Sequence, residues 1–127
     1  MKTKFDTKLI IDKIINLTKA NLKWHYLDTD RSIDSIANEI LVDYVIDDNS
    51  SFFCQVDSGY FALVQPELDE PDDMPILFLI AVPGSDARDI RILNSYLEHQ
   101  QDLLRLQNLV KKQYPNVDDF LDSFLKS

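Results

Sequence analysis

Hydrophobic positions in the first third of the chain follow the helical period and predict two amphipathic helices. Asp6 is placed to cap a first helix over residues 7–19, whose apolar stripe consists of Leu9, Ile10, Ile14 and Leu17. Asp30 or Ser32 begins the second helix, in which apolar positions recur at helical spacing: Ile33, Ile36, Ile40, Leu41 and Tyr44. The β-branched residues within 42–46 leave a strand at its end as the alternative.

A short aromatic segment, Trp24-His25-Tyr26, separates these two helices. If it is extended, Trp24 and Tyr26 share one face and His25 lies on the other. Trp24 then either anchors the first helix to a sheet or joins Tyr26 in a surface patch that binds a partner. We therefore treat Trp24 and Tyr26 as candidate partner-binding residues.

Apolar strands and turn residues in the middle of the chain predict an antiparallel sheet. Residues 52–65 read as a β-hairpin, with Gly59 in the turn and free to adopt a positive φ. The apolar run 76–82 predicts a central strand that is buried on both faces. A shorter strand follows, in which charged and apolar positions alternate: Asp89, Ile90, Arg91 and Ile92.

The C-terminal part of the chain predicts a pair of helices. Ser95 and Glu98 have the spacing of a capping box and indicate the start of a long helix that ends near Gln113. Asn116 is placed to cap a final amphipathic helix, whose stripe is Phe120, Leu121, Phe124 and Leu125. We expect this stripe to pack on the sheet, and a homodimer contact is the alternative.

The order of these elements predicts a single α+β domain over residues 1–127. It would contain an antiparallel sheet of three to four strands, with the N-terminal helices and the C-terminal helix pair packed on one face. A chain of 127 residues is the usual size of one domain and can bury a core without disulfides.

The charge distribution favours a basic protein as partner. The net charge is −9, yet residues 24–87 contain fourteen acidic residues and one basic residue, Arg31. Such a segment repels phosphate backbones and anionic membranes, so we expect neither nucleic acid nor a membrane as partner. The absence of a signal peptide, of a long apolar run and of a second cysteine predicts a cytoplasmic protein.

The densest acidic segment is the loop between the hairpin and the central strand. Its candidate partner-binding residues are Glu67, Asp69, Glu70, Asp72 and Asp73. Three interpretations remain open: a solvated loop, a contact for a basic partner, and a site for calcium or magnesium. The loop lacks the spacing of an EF-hand, so we predict no metal.

No motif in the chain is specific for a chemistry, so we predict no catalytic residue and no cofactor. The two glycines cannot form a phosphate-binding loop, and no zinc or nucleophile-elbow spacing occurs. The most economical hypothesis is a small non-enzymatic interaction or regulatory module. The alternatives are an acidic mimic of nucleic acid and an enzyme with a site assembled from dispersed residues: His25, Asp28, Asp30 and Cys54.

Three segments together resemble an uncharacterised family of small acidic bacterial proteins. They are Leu17-Thr18-Lys19 with Leu22-Lys23-Trp24, Ser50-Ser51-Phe52 with Ser58-Gly59-Tyr60-Phe61, and the C-terminal run Asp118-Asp119-Phe120-Leu121-Asp122-Ser123-Phe124-Leu125-Lys126. The resemblance implies a shared fold and no established activity. It implies an accessory, immunity or phage-related role only by association.

Overall fold

The computed structural model of the chain describes residues 5–70, 72–84 and 88–127. Its helices are α1 (Thr7–Lys19), α2 (Arg31–Ile40), α3 (Gln100–Lys111) and α4 (Val117–Lys126). Its strands are β1 (Trp24–Tyr26), β2 (Phe52–Val56), β3 (Gly59–Val64), β4 (Phe78–Val82) and β5 (Arg91–Ile92). Single turns of 3₁₀ helix lie at Leu27–Thr29 and Asp48–Ser50.

The strands form one antiparallel sheet in the order β1-β2-β3-β4-β5. One row of paired residues crosses the whole sheet: Trp24, Cys54, Phe61, Ala81 and Arg91. The α+β class is therefore confirmed, but the sheet has five strands where three to four were predicted. The difference arises mainly at β1, whose three residues are too few to show a period and which pairs with β2 from between the first two helices.

Helices cover both faces of the sheet, which corrects the prediction that all of them lie on one face. α1 and α3 pack over the face that carries Trp24, Phe52 and Leu79. α2 packs on the opposite face over Phe53 and Ile80, where Ile33 and Ala37 are buried. The physical reason is in β2 and β4, where consecutive residues are apolar, so that each face must be covered.

Three helices begin at the predicted cap residues. Asp6 accepts a hydrogen bond from the Lys8 amide at 2.9 Å, and Asp30 accepts one from the Ser32 amide at 2.9 Å. Asn116 caps α4 through the Asp119 amide at 2.8 Å. The segment after α2 forms neither a longer helix nor a full strand, since within it only Ile46 makes a β-bridge, with Pro66.

Two local predictions were wrong. In the hairpin Asp57 adopts the positive φ (55°), whereas Gly59 is required because a Cβ there would lie 3.0 Å from the Val82 carbonyl oxygen. One half of the Ser95–Glu98 capping box forms, in which the Glu98 carboxylate accepts from the Ser95 amide at 2.7 Å. It closes a turn, however, and α3 begins only at Gln100, after His99 at φ 57°.

The final helix also differs from expectation. Every residue of α4 is exposed, and none belongs to either core cluster. Its apolar side chains are between 46% and 78% exposed: Val117, Phe120, Leu121, Phe124 and Leu125. The expectation that this stripe packs on the sheet of its own chain is therefore wrong.

Candidate functional site

The aromatic residues proposed from sequence as a partner-binding patch lie mainly in the interior. Trp24 is fully buried, and its Nε1 donates to the Thr18 hydroxyl at 3.0 Å. Tyr26 is half-buried, with its ring 4.7 Å from that of Tyr114 and 5.0 Å from that of Phe52. Trp24 thus anchors α1 to the sheet edge and offers no surface to a partner.

The dispersed residues considered as an assembled enzyme site do not converge. Cys54 is buried on the α1 face, and burial raises the pKa of its thiol to about 12. His25 is exposed on the α2 face, with its ring 5.4 Å from that of Phe53. The sheet therefore separates the imidazole from the thiol, which is also protonated at neutral pH.

The acidic loop, in contrast, is exposed and forms one wall of a groove. Glu67, Asp69, Glu70, Asp72 and Asp73 all face solvent. The loop faces the segment that follows α2 and the turn that precedes α3 across a volume of about 680 Å³. We call this the acidic groove, and its side chains include Asp43, Tyr44, Val45, Glu67, Leu68, Asp69, Asp73, Met74, Tyr96 and Leu97.

Backbone hydrogen bonds join the first two walls. The Glu67 amide donates to the Val45 carbonyl at 2.7 Å, and the Asp47 amide donates to the Gln65 carbonyl at 2.8 Å. Within the loop, the Glu70 amide donates to the Asp73 carboxylate at 3.1 Å, and the Asp73 amide donates back to the Glu70 carbonyl. The walls are thus fixed to the sheet and to each other before any ligand binds.

Two side-chain amides hold the third wall against β4. The Gln100 side chain accepts from the Leu77 amide at 2.7 Å and donates to the Leu77 carbonyl at 2.9 Å. Asn94 is buried, accepts from the Leu79 amide at 2.9 Å and also donates to the Leu77 carbonyl. These amides replace a strand partner where β5 is too short to pair with this part of the chain.

The charge in and around the acidic groove has one sign. Four carboxylates line it, no lysine or arginine is among its described lining residues, and no ion pair found within the described ranges uses any of the four. The acidic surface continues beyond the groove to Asp48. Burial raises the pKa of Asp48, and the like charges of Asp28, Asp34, Asp47 and Glu67 raise it further.

Apolar side chains accompany the carboxylates, and sequence reasoning missed their role. Tyr44, Val45, Leu68, Met74, Tyr96 and Leu97 are all large, exposed and part of the groove lining. Tyr44 has the spacing of the second predicted helix, and Leu97 falls inside the long helix predicted from Ser95 onward, so both were expected in helices. Nothing in the local pattern indicates that residues 43–45, 66–69, 73–76 and 96–97 meet in space.

Neither a metal-binding cluster nor a membrane-spanning helix is present within residues 5–70, 72–84 and 88–127. No group of three or more histidine, cysteine, aspartate or glutamate side chains is arranged to hold a metal ion there. Of the described helices, none has the length and apolar character that crossing a bilayer requires. Comparison with protein-family models, curated proteins and solved structures finds no match, so the family resemblance stays a prediction.

Proposed function

We propose that the protein is a non-enzymatic interaction module whose acidic groove binds a basic, amphipathic segment of another protein. The observation that supports this most is that one pre-formed groove contains both exposed apolar side chains and carboxylates. No lysine or arginine is among the described residues that line it. An exposed apolar surface rimmed by polar residues is typical of a protein-binding site.

The two kinds of side chain would have different roles. An apolar anchor gains about 1.5–3 kcal/mol when it is fully buried, whereas an exposed ion pair contributes about 0–1 kcal/mol. Affinity would therefore come mainly from contacts with Tyr44, Met74 and Tyr96. The carboxylates would select a basic partner and accelerate association, and these effects weaken as salt is added.

For the biological role, the only support is the family resemblance of the sequence. The resemblance to small acidic bacterial proteins favours a regulatory, immunity or phage-related context, in which a module of this size acts by occupying a site on its partner. A groove that recognises lysine and arginine between apolar anchors is compatible with each of these roles.

Fluorescence anisotropy with a labelled amphipathic peptide of lysine and leucine tests the proposal. Binding is expected for this peptide and not for its glutamate counterpart, with the affinity decreasing as NaCl rises from about 0.05 to about 0.5 M. Neutralising three groove carboxylates, in the triple variant Asp43→Asn, Glu67→Gln, Asp69→Asn, should weaken binding about tenfold or more.

A matched variant distinguishes the effect of the groove carboxylates from the effect of the protein's net negative charge. The triple variant Glu39→Gln, Asp57→Asn, Asp122→Asn removes the same number of negative charges from exposed positions outside the groove. It is expected to bind nearly as the wild type does. Equal weakening by the two triple variants would reject the acidic groove as the site, as would binding that salt does not change.

A further inference from the structure

The exposed helix α4 needs a surface to cover it. Its apolar residues lie at i, i+3, i+4, i+7 and i+8, so they form one continuous stripe: Val117, Phe120, Leu121, Phe124 and Leu125. A helix of ten residues is only marginally stable in water unless tertiary contacts support it. The stripe is thus expected to be buried in the functional assembly.

An apolar concavity lies on the α1 face of the sheet. Thr7, at the start of α1, donates to the Leu93 carbonyl beside β5, and Thr18, near its end, accepts from Trp24 of β1. α1 therefore runs across the sheet from β5 to β1, and no described helix lies over the corner of the sheet beyond it. This apolar groove has a volume of about 850 Å³ and is lined by Ile10, Val56, Phe61, Ala81, Pro83 and Leu93, among others.

The α4 helix of the same chain is poorly placed to fill this groove. α3 packs along the flank of α1 that carries Lys8, whose Nζ lies 3.3 Å from the Asp102 carboxylate. The apolar groove lies on the other flank, which carries Ile10. Only Pro115 and Asn116 connect Tyr114, held beside Trp24, to the start of α4. α1 thus stands between the groove and the α4 of its own chain.

We propose that two copies of the chain form a dimer by exchanging α4, each placing its apolar stripe in the apolar groove of the other. An exchange of this kind is closed and two-fold symmetric, so it leaves neither stripe nor groove exposed. The inference goes beyond the proposed function and does not depend on it, because the acidic groove shares no lining residue with the apolar groove.

The area available is sufficient for a stable dimer. The two phenylalanines, two leucines and one valine of the stripe together expose roughly 600 Å². The two stripes contribute roughly 1,200 Å² by themselves, and the surfaces that cover them raise the buried total above the roughly 1,200 Å² that a stable specific interface requires. The charged residues of the groove lining are Asp57, Asp89 and Arg91, and α4 carries three aspartates and one lysine, so apolar contacts and not charge would hold this dimer together.

Mass measurement by light scattering and a cross-linking experiment test this dimer. The wild type is expected at twice 14.7 kDa, and Phe124→Glu at 14.7 kDa. Phe124 is 66% exposed in the monomer, so its replacement should leave the fold intact, which circular dichroism checks. The control Val42→Glu changes a more exposed apolar residue (77%) outside both α4 and the apolar groove and should remain dimeric.

Cross-linking identifies the surface that α4 contacts. Ala81→Cys and Leu125→Cys, prepared as separate proteins, mixed and oxidised, should form a mixed disulfide between groove and helix. A monomeric wild type, or a dimer that Phe124→Glu does not dissociate, would overturn the proposal. Rapid cross-linking of Leu125→Cys with itself would indicate pairing of α4 with α4 and would also overturn it.

Discussion

Replacing Asn94 with alanine should destabilise the fold by about 2–3 kcal/mol. Asn94 is only 5% exposed, and its side chain accepts from the Leu79 amide and donates to the Leu77 carbonyl, each at 2.9 Å. Without it the buried Leu79 amide has no partner, which costs about 1–3 kcal/mol. Gln100 still donates to the Leu77 carbonyl, so the loss of the second hydrogen bond adds only a fraction of its usual value of about 1 kcal/mol.

Urea unfolding followed by tryptophan fluorescence measures this effect directly. Trp24 is the only tryptophan and is fully buried, so its emission reports the exposure of the core. The control is Asn38→Ala, in which an exposed amide that donates to the Asp34 carbonyl is removed, and the expected change is within about 0.5 kcal/mol. A loss below about 1 kcal/mol in Asn94→Ala would refute the role of this amide as a substitute strand partner.

Three further outcomes are expected. Cys54 should react with a thiol reagent only through unfolding, because burial raises its pKa to about 12, and labelling within seconds in native buffer would contradict this. Gly59→Ala should cost about 1–3 kcal/mol by unfolding assay, since its Cβ would lie 3.0 Å from the Val82 carbonyl oxygen, whereas Gly84→Ala should be nearly neutral. Asp48→Asn should raise the melting temperature at neutral pH. The raised pKa of Asp48 means that its ionised form weakens the fold, so the gain should vanish as the pH falls below about 4, and a gain that persists there would exclude this cause.

The parts of the fold that sequence predicted correctly have strong local signals. Residues 7–19 form a helix because a capping aspartate precedes apolar residues at helical spacing, and both signals lie within one segment. The predicted stripe was only partly right, since Ile11, Ile14 and Ile15 are buried and Leu9 is exposed. The hairpin of β2 and β3 was predicted for the same reason, since turn residues separate two apolar runs. The capping role of Asn116 likewise needs no tertiary information.

The parts that failed depend on contacts between distant segments. The Glu98 carboxylate accepts from the Ser95 amide as a capping box predicts, yet the side chains of Asn94 and Gln100 bind the backbone of Leu77 and shape this region into a turn. The acidic groove needs the pairing of Glu67 with Val45, which are far apart in sequence. Sequence therefore named three of the four groove carboxylates, Glu67, Asp69 and Asp73, but neither Asp43, nor the apolar lining, nor the walls. The candidates Glu70 and Asp72 are not among the lining residues.

Mapping the bound peptide by amide chemical shifts tests the central claim most directly. The ¹⁵N-labelled protein would be titrated at low salt with the lysine and leucine peptide. If the acidic groove binds the peptide, the shifts should concentrate at Tyr44, Leu68, Met74 and Tyr96 and disappear when salt is raised. Shifts spread evenly over the acidic surface, or confined to residues outside the acidic groove, would contradict it.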